Sequence, residues 1–163
     1  MSKASVRITV HVFFNREKSD MKLLAISGSV RYGSYNLALL RAMKELCPEG
    51  SSVTVYDQIK EIPIFDPDVD DSNYSEAVCL LSSMMRASDG VIISTPEYAH
   101  GVPGALKNAL DWLVSSDALI LKPVVVTSVS TSGLGGVRSH GPSFLILIAT
   151  LYFQTYVNKI AEE

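Results

Sequence analysis

Residues Gly28 to Asn36, GSVRYGSYN, gather groups that suit a bound anion. Ser29, Ser34 and Asn36 can donate to phosphate oxygens, and Arg31 adds a charge and a planar donor fork. Gly28 and Gly33 let the backbone turn and come close to a ligand. The segment follows the apolar run Leu23 to Ile26 and leads into a helical pattern, so it sits where a buried strand hands over to a helix. The first turn of a helix has N–H groups without intrahelical acceptors and the positive end of the macrodipole. Together these would satisfy one phosphate monoester. The spacing is not GxGxxG, and no GxxxxGK[ST] occurs, which argues against a pyrophosphate or a nucleoside triphosphate at this loop. Taken alone, the loop is better read as a serine-rich helix cap without a ligand.

It is not alone. Thr95 to Leu113, TPEYAHGVPGALKNALDWL, follows a second buried-strand pattern, Gly90 to Ser94, and a third apolar run is Lys122 to Val126. With these three segments in register from about Met21 to Arg138, the chain resembles the NADPH-dependent FMN reductase family of flavodoxin-like proteins, which includes quinone, azo-dye and chromate reductases. The resemblance implies that Ser29, Arg31, Ser34, Tyr35 and Asn36 hold the FMN phosphate. It implies that Pro96, Glu97, Tyr98 and Ala99 run along the isoalloxazine, largely through backbone groups, and that Ser130 closes another side. NADPH or NADH would be the co-substrate, and a quinone, azo compound, flavin or metal oxyanion the electron acceptor. No residue is assigned a catalytic role, because the cofactor carries the chemistry. Plainer readings exist for single residues: Tyr98 as a rim aromatic, Glu97 as a cap for the helix near Pro103, Lys107 and Asp111 as an i,i+4 surface pair. Many relatives carry asparagine where this chain has Ala99, followed by His100.

These loops need a frame, and the hydrophobic pattern supplies one. Short β-branched runs alternate with amphipathic helices, the pattern of a parallel sheet covered on both faces. Strands are expected at Lys22 to Ser27, Ser52 to Tyr56, Val91 to Thr95 and Pro123 to Val129. A first helix carries Leu37, Leu40, Met43 and Cys47 and stops at Cys47-Pro48-Glu49-Gly50; a second shows Ala77, Val78, Leu81 and Met85 on one face. A third starts near Pro103, with Leu106, Leu110 and Leu113 toward the core. The expected fold is an α/β, flavodoxin-like three-layer sandwich with sheet order 2-1-3-4-5 and a truncated or divergent C-terminus. In such sheets ligands bind beyond the carboxyl ends of the strands, where the loops after strands one, three and four meet.

The 163 residues, 47% hydrophobic, suffice for one enzyme-sized core. A net charge of −3 gives no footprint for nucleic acid or an anionic membrane. Cys47 and Cys79 lack CxxC spacing and read as free thiols of a reducing, cytoplasmic compartment. The acidic loop IPIFDPDVDD (62–71) fails as a calcium loop: Asp71 stands where glycine is needed, and Ala77 where the bidentate glutamate belongs. No metal set and no hydrolase motif is expected.

Residues 1–20 are expected to form a disordered extension, and 21–163 the FMN-binding domain. The apolar stretch Val10 to Phe14 is too short for a signal peptide, and Phe144 to Phe153 falls well below the ~20 residues of a membrane span. Gln154 to Asn158 could supply a fifth strand, leaving too little chain for a final helix. The apolar segment Ser143 to Val157 and the helix bearing Leu110, Trp112 and Leu113 suggest a homodimer or homotetramer, with the Gly101 to Ser115 helix at or near the contact and Trp112→Glu expected to split it. Two rival functions stand beside the reductase: a flavodoxin-type electron carrier, and a degenerate, non-enzymatic family member.

Overall fold

The computed structural model describes residues 5–9, 20–99, 101–114, 116–119 and 122–130. A five-stranded sheet is built from β1 (Ser5–Thr9), β2 (Lys22–Ser27), β3 (Ser52–Tyr56), β4 (Gly90–Ser94) and β5 (Val124–Ser130) in the order β1-β5-β4-β2-β3. Among the described residues three α-helices accompany it: α1 (Tyr35–Glu45), α2 (Glu76–Ala87) and α3 (Gly104–Val114). β3, β2, β4 and β5 are mutually parallel neighbours, so from Lys22 onward the order is the expected 2-1-3-4.

The strands are apolar on both faces because both faces are covered. Leu24, Ile26, Val91, Ile93 and Val126 pack with Val78, Leu81 and Met85 of α2 and Leu106, Leu110 and Leu113 of α3. On the opposite face Ala25 and Val53 meet Leu40 of α1, with Leu23, Val55 and Ile92 half-buried beside them. This is the three-layer α/β sandwich that the alternating pattern requires. Ser34 and Ser75 cap α1 and α2 by accepting from Leu37 and Val78 N–H, which fixes both starts. No helix among the described residues is long and apolar enough to cross a membrane.

One edge differs from expectation. Within the N-terminal stretch read as disordered, Ser5–Thr9 forms β1, antiparallel to β5 with Ser5 opposite Ser130 and Thr9 opposite Val126. The physical reason is the open edge of β5, whose row of backbone donors and acceptors offers a ladder to any extended segment. SVRIT alternates in a strand-like way, but its partner is far off in sequence, so no local signal announces the pairing. The fifth strand expected at Gln154 to Asn158, and the apolar segment 143–157, lie outside the described residues.

Candidate functional site at the carboxyl ends of the strands

β2 and β4 finish together: Ser27 pairs with Ser94, and Ser94 with Thr127 of β5, in one rung across the sheet, beyond which β5 runs on to Ser130. Parallel strands deliver their following loops to the same end, so the loops after Ser27 and Ser94 rise side by side. A backbone bond from Gly28 N–H to the Ser94 carbonyl, 2.8 Å, ties them at the base. Gly28 has no room for more. A Cβ there would meet the Thr95 Oγ1 at 2.6 Å and the Leu106 Cδ2 at 2.9 Å.

The first loop is internally braced. Ser29 N–H donates to the Ser27 hydroxyl and Arg31 N–H to the Ser29 hydroxyl, each at 3.4 Å. Gly33 adopts φ +70°, the left-handed conformation that turns the chain into α1. Ser34 then caps the helix, its hydroxyl accepting from Leu37 N–H and its carbonyl from Ala38 N–H. Capping uses the oxygen's lone pair and leaves the hydroxyl proton as a donor, so the two sequence readings of Ser34 are compatible. The first turn of α1 holds no acidic residue. Ser29 and Ser34 are buried, Arg31 is exposed and Tyr35 is half exposed on the same loop. Asn36 departs from this group. It is 3% exposed, and its side chain turns inward to Ser94 and Val129 rather than toward the loop.

The second loop leaves β4 through buried Thr95, whose hydroxyl donates to the Pro96 carbonyl and whose N–H donates to Thr127 O. Pro96 and Glu97 are half-buried and Tyr98 is 53% exposed. Tyr98 and Gly101 exchange both backbone hydrogen bonds, 3.0 and 2.9 Å, closing a tight turn. Ala99 carries φ +50° in that turn. An L-residue with a Cβ pays about 1–2 kcal/mol there, whereas asparagine and glycine suit the conformation. We expect Ala99→Gly to leave the fold intact and raise the denaturation midpoint by up to about 1 kcal/mol in stability. A lower midpoint on chemical unfolding would contradict the strain. His100 lies outside the described residues, as do the residues after Ser130; Ser130 ends β5, and its side chain is likewise outside the described part.

α3 starts beyond this loop and anchors the acidic loop. Asn108 accepts from Phe65 N–H at 2.7 Å and donates to the Pro63 carbonyl at 2.8 Å. Trp112 Nε1–H donates to the same carbonyl at 2.8 Å. Phe65 and Tyr74 pack edge-on against the indole, at 5.2 and 5.1 Å between ring centroids. Trp112 is therefore interior, 3% exposed, which corrects its placement at a subunit contact. Helical periodicity puts apolar residues on more than one face of α3, and at Trp112 the loop of Pro63 and Phe65 covers the excess. Lys107 and Asp111 form the i,i+4 ion pair anticipated from their spacing. In the acidic loop Asp66 accepts from Asp68 N–H, and Asp70 accepts from Ser72 N–H and its hydroxyl. Those bonds hold the Asp70 carboxyl below its ordinary pKa.

The buried hydroxyls beneath the loops escaped the sequence reading. Ser27, Ser94 and Thr127 have no exposed surface, and a signal existed: each apolar run, LLAI, VII and VVV, ends on a serine or threonine. Asn108 was likewise read only as part of a motif, not as the residue holding the neighbouring loop.

Residues 21–159 match the family described as NADPH-dependent FMN reductase. A quinone reductase of Escherichia coli is 36% identical over 121 residues, 72% of this chain and 64% of that protein. An NAD(P)H-dependent FMN reductase of Pseudomonas aeruginosa is 37% identical over 123 residues, 74% of this chain and 66% of its own length. The chain thus spans just under two thirds of these relatives. In the fold comparison, FerB of Paracoccus denitrificans, a flavoenzyme NAD(P)H:(acceptor) oxidoreductase, superposes with a TM-score of 0.68 over 82% of this chain and 72% of that one at 24% identity, a likeness of fold. With a match over most of its length, from just before β2 onward, the chain belongs to the NADPH-dependent FMN reductase family.

Proposed function

We propose that this chain is an FMN-dependent oxidoreductase that passes electrons from NADPH or NADH to a small-molecule acceptor, a quinone, azo compound, flavin or metal oxyanion. The observation that carries the reading is the juxtaposition of two loops at one sheet end, an acid-free, hydroxyl-rich helix start and the Thr95 to Gly101 turn, in a member of this family. The residues fit FMN. Ser29 and Ser34 hydroxyls, the Arg31 guanidinium and the N–H groups of the first turn of α1 match one phosphate, and nothing lies within 4 Å of the open side of Gly33. The backbone of 96–99 would border the ring and the exposed Tyr98 its rim.

FMN held by Ser29, Arg31, Ser34 and the first turn of α1 would supply the redox chemistry between NAD(P)H and the acceptor. The chain's own part is placement. The helix start and Arg31 fix the charged end, the tied loops fix the other end relative to it, and the buried base of the site excludes water. The site calls for no nucleophile and no general base. A homodimer or homotetramer in the cytoplasm belongs to the same reading.

Titration with flavins, followed by fluorescence, tests it. FMN should bind in preference to riboflavin and FAD, and NADPH should bleach the bound flavin's visible spectrum. Arg31→Ala should weaken FMN by about 1.5–3 kcal/mol, the range for hydrogen bonds to charged groups, with the fold unchanged; lysine should restore part of this. Equal affinity for riboflavin and FMN would refute use of the phosphate. A bound flavin that NADPH leaves oxidised would favour the electron carrier.

A further inference from the structure

Asn36 opens α1 from within the first turn, yet its side chain points into the sheet. Oδ1 accepts from Val129 N–H and from the Ser94 hydroxyl, both at 3.0 Å, and Nδ2 donates to the Val129 carbonyl at 3.5 Å. The backbone N–H of Val129 can only donate, so the atom facing it must be the amide oxygen, and the orientation of the amide is fixed. Both lone pairs of that oxygen are filled. Ser94 in turn accepts from the Thr127 hydroxyl at 3.1 Å. The result is a one-way chain of hydrogen bonds, Thr127 to Ser94 to Asn36, buried throughout, that joins β5 and β4 to the start of α1.

We propose that Asn36 is a positioning residue for the anion site and not a phosphate ligand through its side chain: it clamps the first turn of α1 to the ends of β4 and β5, and so aims the turn's N–H groups. The proposal rests on the phosphate site described above. The physical argument is stiffness. A helix start held by its cap alone can tilt against the sheet, whereas three bonds from one buried amide to two strands set its place, and donors to an anion must be held to fractions of an ångström to be worth their full strength. The same bonds reach β5 at Val129, one residue before its end, so the first loop and the end of β5 share one support.

A ligand entering from solvent cannot touch Ser94 or Thr127, which have no exposed surface. This separates positioning from direct contact. FMN and riboflavin dissociation constants should be measured on the full chain and on Asn36→Ala, Ser94→Ala, Thr127→Val and Thr127→Ser, with thermal midpoints alongside. Ser94→Ala should weaken FMN about three- to tenfold and Asn36→Ala about tenfold or more, while riboflavin, which has no phosphate to place, changes by less than about twofold. Thr127→Val should follow in the same direction, and Thr127→Ser, which keeps the hydroxyl, should restore FMN binding. If Asn36→Ala fails to fold, the Ser94 and Thr127 variants carry the test. Unchanged FMN binding in Ser94→Ala and Thr127→Val, or equal losses for FMN and riboflavin, overturns the clamp while the wild-type preference for FMN stands. Wild-type protein without that preference overturns the phosphate reading itself, and the clamp with it.

Discussion

Replacing Trp112 by alanine should cost about 3–5 kcal/mol of stability, the range for deleting a large buried aromatic side chain. The indole fills the space between α3 and the loop of Pro63 and Phe65, and Tyr74 closes its other edge. Deleting it removes two aromatic contacts and one of the two donors to the Pro63 carbonyl. Phenylalanine should do far less harm, about 0.5–1.5 kcal/mol, because Asn108 still donates to that carbonyl and most of the ring volume stays. Chemical denaturation of the two variants measures both numbers. Trp112→Glu should not yield a well-folded monomer, since a carboxylate would be buried among Phe65, Tyr74 and the core of α3. A stable Trp112→Glu protein would return Trp112 to the surface.

Gly28→Ala should fail at two levels. Its new Cβ would lie 2.6–2.9 Å from Thr95 Oγ1, Thr95 Cβ and Leu106 Cδ2. Neither neighbour can step aside: Thr95 is 3% exposed and hydrogen-bonded to β5, and Leu106 is fully buried. Overpacking of this kind costs about 1–3 kcal/mol. The loop and β4 must separate, which lengthens the Gly28 to Ser94 bond and moves the two loops apart. FMN binding should therefore drop sharply even in the fraction that stays folded, and riboflavin binding should drop with it, unlike the response of the Ser94 variant. Flavin titration of the purified variant at a temperature below its midpoint decides this. Binding at wild-type strength would mean the two loops are not held by that contact.

Much of this protein was determined by local sequence. Apolar runs broken by Pro and Gly set four strands and three helices, because burial on both faces of a parallel sheet and on one face of each helix leaves a periodic trace. Ser34, in a loop that suits a serine-rich cap, marked the start of α1, since unpaired N–H groups there need acceptors nearby, whereas the cap at Ser75 emerged only with the fold. The glycines and hydroxyls of GSVRYGSYN marked, for the same reason, the loop at which an anion site is proposed. What local pattern cannot carry is the partner of a side chain. Asn36 looked like another phosphate donor, and only the arrival of Val129 and Ser94 from distant strands shows which way its amide faces. Trp112 looked like a surplus apolar surface until the loop at Pro63 came to cover it. SVRIT had no visible role until the edge of β5 gave it a ladder. In each case the deciding contact joins residues far apart in sequence, and hydrogen-bond direction, burial and strand edges exist only once the tertiary fold has brought them together.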